Sequence, residues 1–95
     1  MRLPLYSSRL GGQLAHLVGV QATDLDMLET VLVCPLKESD WKTSLRPQVR
    51  VEGGVRVVVC ELVRPIRRSA LTHTGWLDAA DSRRVMAAFK LILAG

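Results

Sequence analysis

Aromatic residues are scarce in this chain: two Trp, one Tyr and one Phe make up 4% of its 95 residues. Trp41 and Trp76 lie far apart, so the sequence marks no aromatic run that would stack nucleic-acid bases. Cysteine is equally sparse, with Cys34 and Cys60 alone. Without a Cys-x-x-Cys, and with His16 and His73 isolated, no metal-ligand spacing is present and no metal or cofactor is expected. Long apolar runs are missing too. None approaches the roughly 18–20 residues that a membrane-spanning helix needs. The opening MRLPLYSSRL lacks the apolar core of a secretory signal, so the expected location is the cytoplasm. In that compartment Cys34 and Cys60, each within a segment that reads as strand, should be reduced, buried thiols. Apolar surroundings raise a thiol's pKa, which argues against a nucleophilic role. The glycine pairs at 11–12 and 53–54 open no helix and are not phosphate loops. Repeats, low-complexity segments and linkers are absent, and the length fits one domain over residues 1–95.

What the chain does have is apolar mass: 48% of its residues, with a mean hydropathy of +0.20. A chain this short buries only about 60–65% of its unfolded surface. The surplus apolar surface therefore points to a homodimer. A net charge of +4 suits nucleic acid or an acidic protein as partner, and equally a solvated, arginine-rich surface, since the charge is scattered along the chain.

The richest stretch is Leu17 to Leu36. Two apolar runs, Leu17–Val20 and Val31–Leu36, flank an acidic loop and read as neighbouring antiparallel strands. Around them, Leu3–Ser7 reads as an edge strand, Ser8–Gly12 as a turn and Gln13–Val20 as the second strand. Ala22–Glu29 is loop, and Thr30–Leu36 a central strand. Lys37–Leu45, carrying Trp41, is loop or short helix. Gln48–Val51 and Val55–Val63 form a hairpin around Glu52-Gly53-Gly54, the second run covered on both faces. Arg64–Ala70 reads as a basic connection and Leu71–Trp76 as a last strand. A C-terminal helix then follows Asp78 as N-cap, with Asp81 in the capping-box position and Gly95 as C-terminal cap. Val85, Met86, Ala88, Phe89, Ile92 and Leu93 form its apolar face, and Trp76 is expected in the core or as a staple before the cap.

A strand ending Val-x-Val-Gln, an acidic loop and a strand ending Pro35-Leu36 resemble the N-terminal half of the CcdB toxins. Leu45, Pro47, Gly53 and Leu62 match that family's middle, and Leu71 through Gly-Trp-Leu-Asp and the helix match its end, so the resemblance covers nearly the whole chain. It implies a mainly β fold with a C-terminal helix, a small SH3-like antiparallel barrel of the CcdB/MazF type. It also implies a homodimer and a type II toxin–antitoxin system. By that resemblance the chain is no enzyme. It would bind the A chain of DNA gyrase, trap the cleaved DNA and serve plasmid maintenance. A cognate antitoxin would neutralise it by folding a disordered tail on the toxin. Operator DNA would be bound, and the operon repressed, only by the toxin–antitoxin complex. The family's gyrase contact falls on Leu91, Ile92, Ala94 and Gly95. Ala94 stands where an aromatic is typical and no apolar residue follows Gly95, which removes an anchor of the kind that carries binding energy. Clustered charge makes Arg64, Arg67 and Arg68 the candidates for antitoxin or DNA contact.

The competing reading is a MazF-like endoribonuclease, on the same fold. RNA cleavage without a metal needs a base for the 2′-hydroxyl and a cation for the phosphate. Arg46, Arg64, Arg67, Arg68, Thr72, His73 and Thr74 are the residues on offer, with Arg67-Arg68 beside Thr72–Thr74 as the pairing that would supply both. The plainer account of that segment is a solvated basic loop. A third reading is a non-toxic barrel of the same fold.

Overall fold

The computed structural model describes residues 1–10, 12–20, 29–38 and 45–94. Seven strands are present among them: β1 (Pro4–Leu10), β2 (Gln13–Gly19), β3 (Thr30–Lys37), β4 (Gln48–Val51), β5 (Gly54–Val58), β6 (Arg64–Arg67) and β7 (Thr72–Trp76). One helix, α1 (Ala79–Ala94), ends the chain. Strand order is β4-β5-β3-β2-β1-β7, with β6 paired to β3, and all the pairings are antiparallel. This is the mainly β, half-barrel architecture with a C-terminal helix that the pattern implies.

The β3 strand holds the sheet together. Its first half pairs with β6, from Thr30↔Arg67 to Val33↔Arg64, and its middle pairs with β2. Its end crosses to β5 through Leu36↔Val58 and Lys37↔Val57. Pro35 marks the crossing: it has no N–H to donate, while its carbonyl accepts from Val59 N–H at 3.0 Å. The side chains alternate with period two. Val18, Val20 and Cys34 face α1 and pack with Leu3, Val49, Val58, Cys60, Leu77, Val85, Ala88 and Phe89. Leu17, Val31 and Val33 face the other way, beside Tyr6, Ile66 and Leu71. Gly19 lies on that second side, and a Cβ there would come within 2.9 Å of the Tyr6 ring and 3.1 Å of Pro4. Glycine is what lets the ring settle onto the sheet.

Several boundaries differ from the sequence reading. Ser8–Leu10 extends β1 and is not turn. The run Val55–Val63 is strand only to Val58. Val59 leaves the extended region and Cys60–Leu62 forms a 3-10 turn, so Cys60 lies outside any strand. Arg64–Arg67 is strand despite Pro65, because β6 is an edge that needs no N–H on its outer side. The Glu52-Gly53 turn joins β4 to β5 as expected, with φ at Gly53 of +93°. Asp78 caps α1, accepting from Asp81 N–H at 2.7 Å. The reciprocal half of the capping box is missing: the Asp81 carboxylate accepts from Arg50 N–H at 2.9 Å and pairs with Arg84. Leu77, fully buried, does the packing expected of Trp76, which is half exposed. On α1, Val85, Ala88 and Phe89 are buried and Met86 and Ile92 partly so, whereas Leu93 is 72% exposed. Gly11, most of the Ala22–Glu29 loop, Trp41 with residues 39–44, and the Gly95 cap lie outside the described residues. Among those described, no helix is long and apolar enough to cross a membrane.

Candidate functional groove

The groove starts from the alternation in β2. Period two puts His16 on the same face as Val18 and Val20. Val18 and Val20 are buried in the core that α1 closes, while His16 stays exposed. Opposite it stands the β4–β5 hairpin, contributing Arg50, Val51, Glu52 and Arg56. On the third side β7 contributes Thr74, Gly75 and Trp76. With Leu5, Tyr6 and Leu36 these enclose a cleft of about 600 Å³. A second hollow of about 480 Å³ is lined by residues 13–16, 35–37, Leu62 and Arg64. His16 and Leu36 belong to both, so the two hollows adjoin at these residues and together make the groove.

Among the described residues four cations, Lys37, Arg50, Arg56 and Arg64, and one carboxylate, Glu52, line this groove. Arg56 is held in place: it donates to its neighbour Val55 O at 2.9 Å and pairs with the exposed Glu38 at 3.2 Å. The Arg50 backbone is pinned to the helix by Asp81. At the β7 end three rings meet. Tyr6 and His73 are edge-to-face at 5.8 Å, and His73 and Trp76 at 4.8 Å. They are brought together by a bulge: the β1–β7 register steps between Leu5 and Tyr6, and Thr74 is the extra residue. The groove thus offers an imidazole for proton transfer, guanidinium groups for anions and an aromatic wall.

Of the residues picked out from sequence, the groove takes in Arg64 and Thr74, and His73 backs onto its wall through Trp76. Thr72 is exposed opposite Ser7. Arg67 pairs across to Thr30, and the Arg68 backbone N–H donates to Glu29 O at 2.7 Å. Neither arginine lines the groove. The pairing of Arg67-Arg68 with Thr72–Thr74 is not formed there, because β6 adds to β3 while β7 adds to β1 on the far side of β2. Arg46 is engaged outside the groove with Glu61, at 3.0 and 3.1 Å. At the tip of α1, Leu91 is 55% exposed and Ile92 leans on the core. Ala94 ends the helix, and Gly95 lies outside the described residues. Cys34 and Cys60 are fully buried free thiols, away from the groove. A hydrogen bond with Cys60, reinforced by burial, pushes the Cys34 thiol far above its ordinary pKa, so it stays protonated.

Arg50 and Arg56 are groove residues that the sequence reading does not single out, while it takes His16 only as an isolated histidine and Trp76 as a core or staple residue. The alternation in β2 was the one signal available. It shows that His16 shares a face with core valines, but not that the helix stops short of it.

No protein-family model matches the chain, and no curated protein does. Solved structures do. A chain in the structure of an endoribonuclease in complex with its cognate antitoxin, from a Mycobacterial species, superposes with a TM-score of 0.85. The match covers 96% of this chain and 91% of that one, at 13% identity. A chain in the MazE–MazF structure from Deinococcus radiodurans superposes with a TM-score of 0.79, over 95% and 90%, at 15% identity. The fold is that of the MazF-type toxins. The MazF-type neighbours lend no support to CcdB in particular, and they overturn the expectation of a chain that does no chemistry. That expectation came from the CcdB resemblance, whereas the fold is one that an endoribonuclease carries.

Proposed function

We propose that this chain is the toxin of a type II toxin–antitoxin pair and an endoribonuclease whose active site is the groove around His16. The observation that carries this reading is the placement of one imidazole among four cations in an open groove, on a fold shared with an endoribonuclease. His16 takes the proton of a 2′-hydroxyl. The freed oxygen attacks the adjacent phosphorus, the bond to the 5′-oxygen breaks, and the proton returns to that leaving oxygen. Arg50 and Arg56 neutralise charge that builds on the phosphate. The products are a 2′,3′-cyclic phosphate and a 5′-hydroxyl. An antitoxin with an acidic segment would compete for the same cations. Arg64, Arg67 and Arg68 are its contacts, and those of operator DNA in the toxin–antitoxin complex. Exposed Leu14, Leu32 and Leu62 supply apolar surface for the antitoxin or for a second copy of the toxin. Such a toxin would act in the cytoplasm.

The test is incubation of the purified chain with single-stranded RNA, followed by product analysis. Cleavage leaving cyclic phosphate ends is expected, and His16→Ala should slow it by about 10²–10⁴-fold. A His16→Ala chain that cleaves at the full rate would sink the assignment. Gyrase poisoning is the second reading, favoured by the apolar tip of α1, where Leu91 and Leu93 are exposed. It requires linear DNA from gyrase, supercoiled plasmid and ATP that depends on this chain and disappears in a Leu91→Ser, Leu93→Ser double variant.

A further inference from the structure

Trp76 is not part of the core. It is 50% exposed at the end of β7, while the neighbouring Leu77 fills the core. Its ring is nevertheless held, edge-on to His73, whose ring is itself held edge-on to Tyr6, and Tyr6 packs against the second core cluster. The three rings form a buttress running from the core to the groove, and its outermost member lines the same cleft as Arg50 and Arg56. Just before Trp76 the β1–β7 register steps, with Thr74 the extra residue, and Gly75 carries no side chain. A supported half-exposed indole beside guanidinium groups has the chemistry that holds an unpaired nucleobase while the adjoining phosphate sits on the cations.

We propose that Trp76, backed by His73 and Tyr6, is a stacking platform for one unpaired nucleobase of the RNA strand that occupies the groove. The proposal rests on the ribonuclease reading and deepens it: it assigns which wall of the groove grips a base and which wall grips the phosphates. Trp76 is a positioning residue in this scheme. It fixes where the strand lies relative to His16 and takes no part in proton transfer. Every base has a π-face, so the platform itself is tolerant of base identity.

The experiment uses the full chain with Trp41 replaced by Phe, so that Trp76 is the only indole. The probe is a pool of mixed-sequence single-stranded RNA 12-mers carrying 2′-O-methyl groups throughout, which cannot be cleaved by 2′-hydroxyl attack. Quenching of Trp76 fluorescence by this probe is expected, and polyphosphate of equal charge should produce none. Trp76→Leu keeps the apolar bulk and removes the π-face. Followed by the anisotropy of a fluorescein-labelled probe, which needs no indole, binding should weaken by about tenfold or more, while Trp76→Phe should keep most of the affinity. A 12-mer of the same backbone made of abasic nucleotides should bind the wild-type chain at least as weakly as the pool binds Trp76→Leu, and the wild-type and leucine chains should bind it equally. Unchanged thermal melting of the variants shows that the fold survives. Equal binding by Trp76→Leu and wild type, or quenching by polyphosphate alone, would overturn the platform and leave the ribonuclease reading standing if RNA is still cleaved. Failure of the wild-type chain to bind or cleave any RNA would overturn both.

Discussion

Individual side chains here are constrained by what lies within van der Waals reach. Gly19 is one case. A methyl group at that position meets the Tyr6 ring at 2.9 Å and Pro4 at 3.1 Å, and the Pro4 ring is closed onto the backbone of β1 and cannot swing away. Gly19→Ala should destabilise the chain by about 1–3 kcal/mol, read as a lower urea midpoint. It should also shift the Tyr6–His73–Trp76 buttress. Cys34 is another case. Its thiol pKa is raised in the folded chain by its hydrogen bond with Cys60 and by burial. Folding is therefore favoured fully while the unfolded thiol remains protonated. That contribution is lost progressively as pH rises above about 9, where the unfolded thiol ionises and the folded one does not. Cys60 is held down only by its hydrogen bond to Cys34 and is otherwise pushed up by burial, so the pair must be removed together. The melting temperature should fall between pH 8 and 10.5, and a Cys34→Ala, Cys60→Ala double variant, though less stable at pH 7, should show a shallower fall. A variant with the wild-type slope would remove this account.

At the level of elements, the first turn of α1 is the clamp. Ser82 Oγ accepts from Leu3 N–H at 2.9 Å, tying the helix to the start of β1, and Asp81 accepts from Arg50 N–H at 2.9 Å, tying it to β4. One turn of helix therefore ties β4, at one edge of the curved sheet, to β1, the neighbour of the other edge strand. Ser82→Ala leaves the Leu3 N–H buried without that acceptor and should cost about 1–3 kcal/mol. Asp78→Ala removes the N-cap and should cost about 1 kcal/mol. Urea unfolding followed by circular dichroism separates the two. Asp81→Asn should additionally weaken RNA binding by loosening the Arg50 backbone. If that variant loses stability and keeps full affinity, the clamp is structural only.

For the whole molecule, net charge matters less than its placement. The chain carries +4 in all, yet among the described residues Lys37, Arg50, Arg56 and Arg64 line one groove with the carboxylate of Glu52, and Glu38 pairs with Arg56. Binding of single-stranded RNA that engages these four should weaken with salt, with a log–log slope of about −3. Arg50→Gln and Arg56→Gln should each reduce that slope by about 0.7. A slope near zero in the wild-type chain would place RNA elsewhere or nowhere. Apolar side chains left exposed, Leu14, Leu32, Leu62, Leu91 and Leu93 among them, argue for association. Light scattering across a hundredfold concentration range should show a dimer, and a monomer throughout would leave that surface to the antitoxin.

Local chemistry was readable directly from the residues. Period-two runs placed β2 and β3, Glu52-Gly53 placed the hairpin, and Asp78 placed the start of α1, because each depends on neighbours a few positions away. Two local readings failed for the same reason: Arg64–Arg67 became strand, and Cys60–Leu62 left it, because β3 was there to pair with one and not with the other. The groove depended still more on tertiary structure. His16, Arg50, Arg56 and Trp76 come from four strands, and nothing within a few residues of any of them marks it. They meet because β3 crosses between two pairing partners, the sheet curls, and α1 covers the inner face only as far as Val18. Those are long-range packing outcomes, so a one-dimensional pattern records the core-facing valines and is silent about where their cover ends.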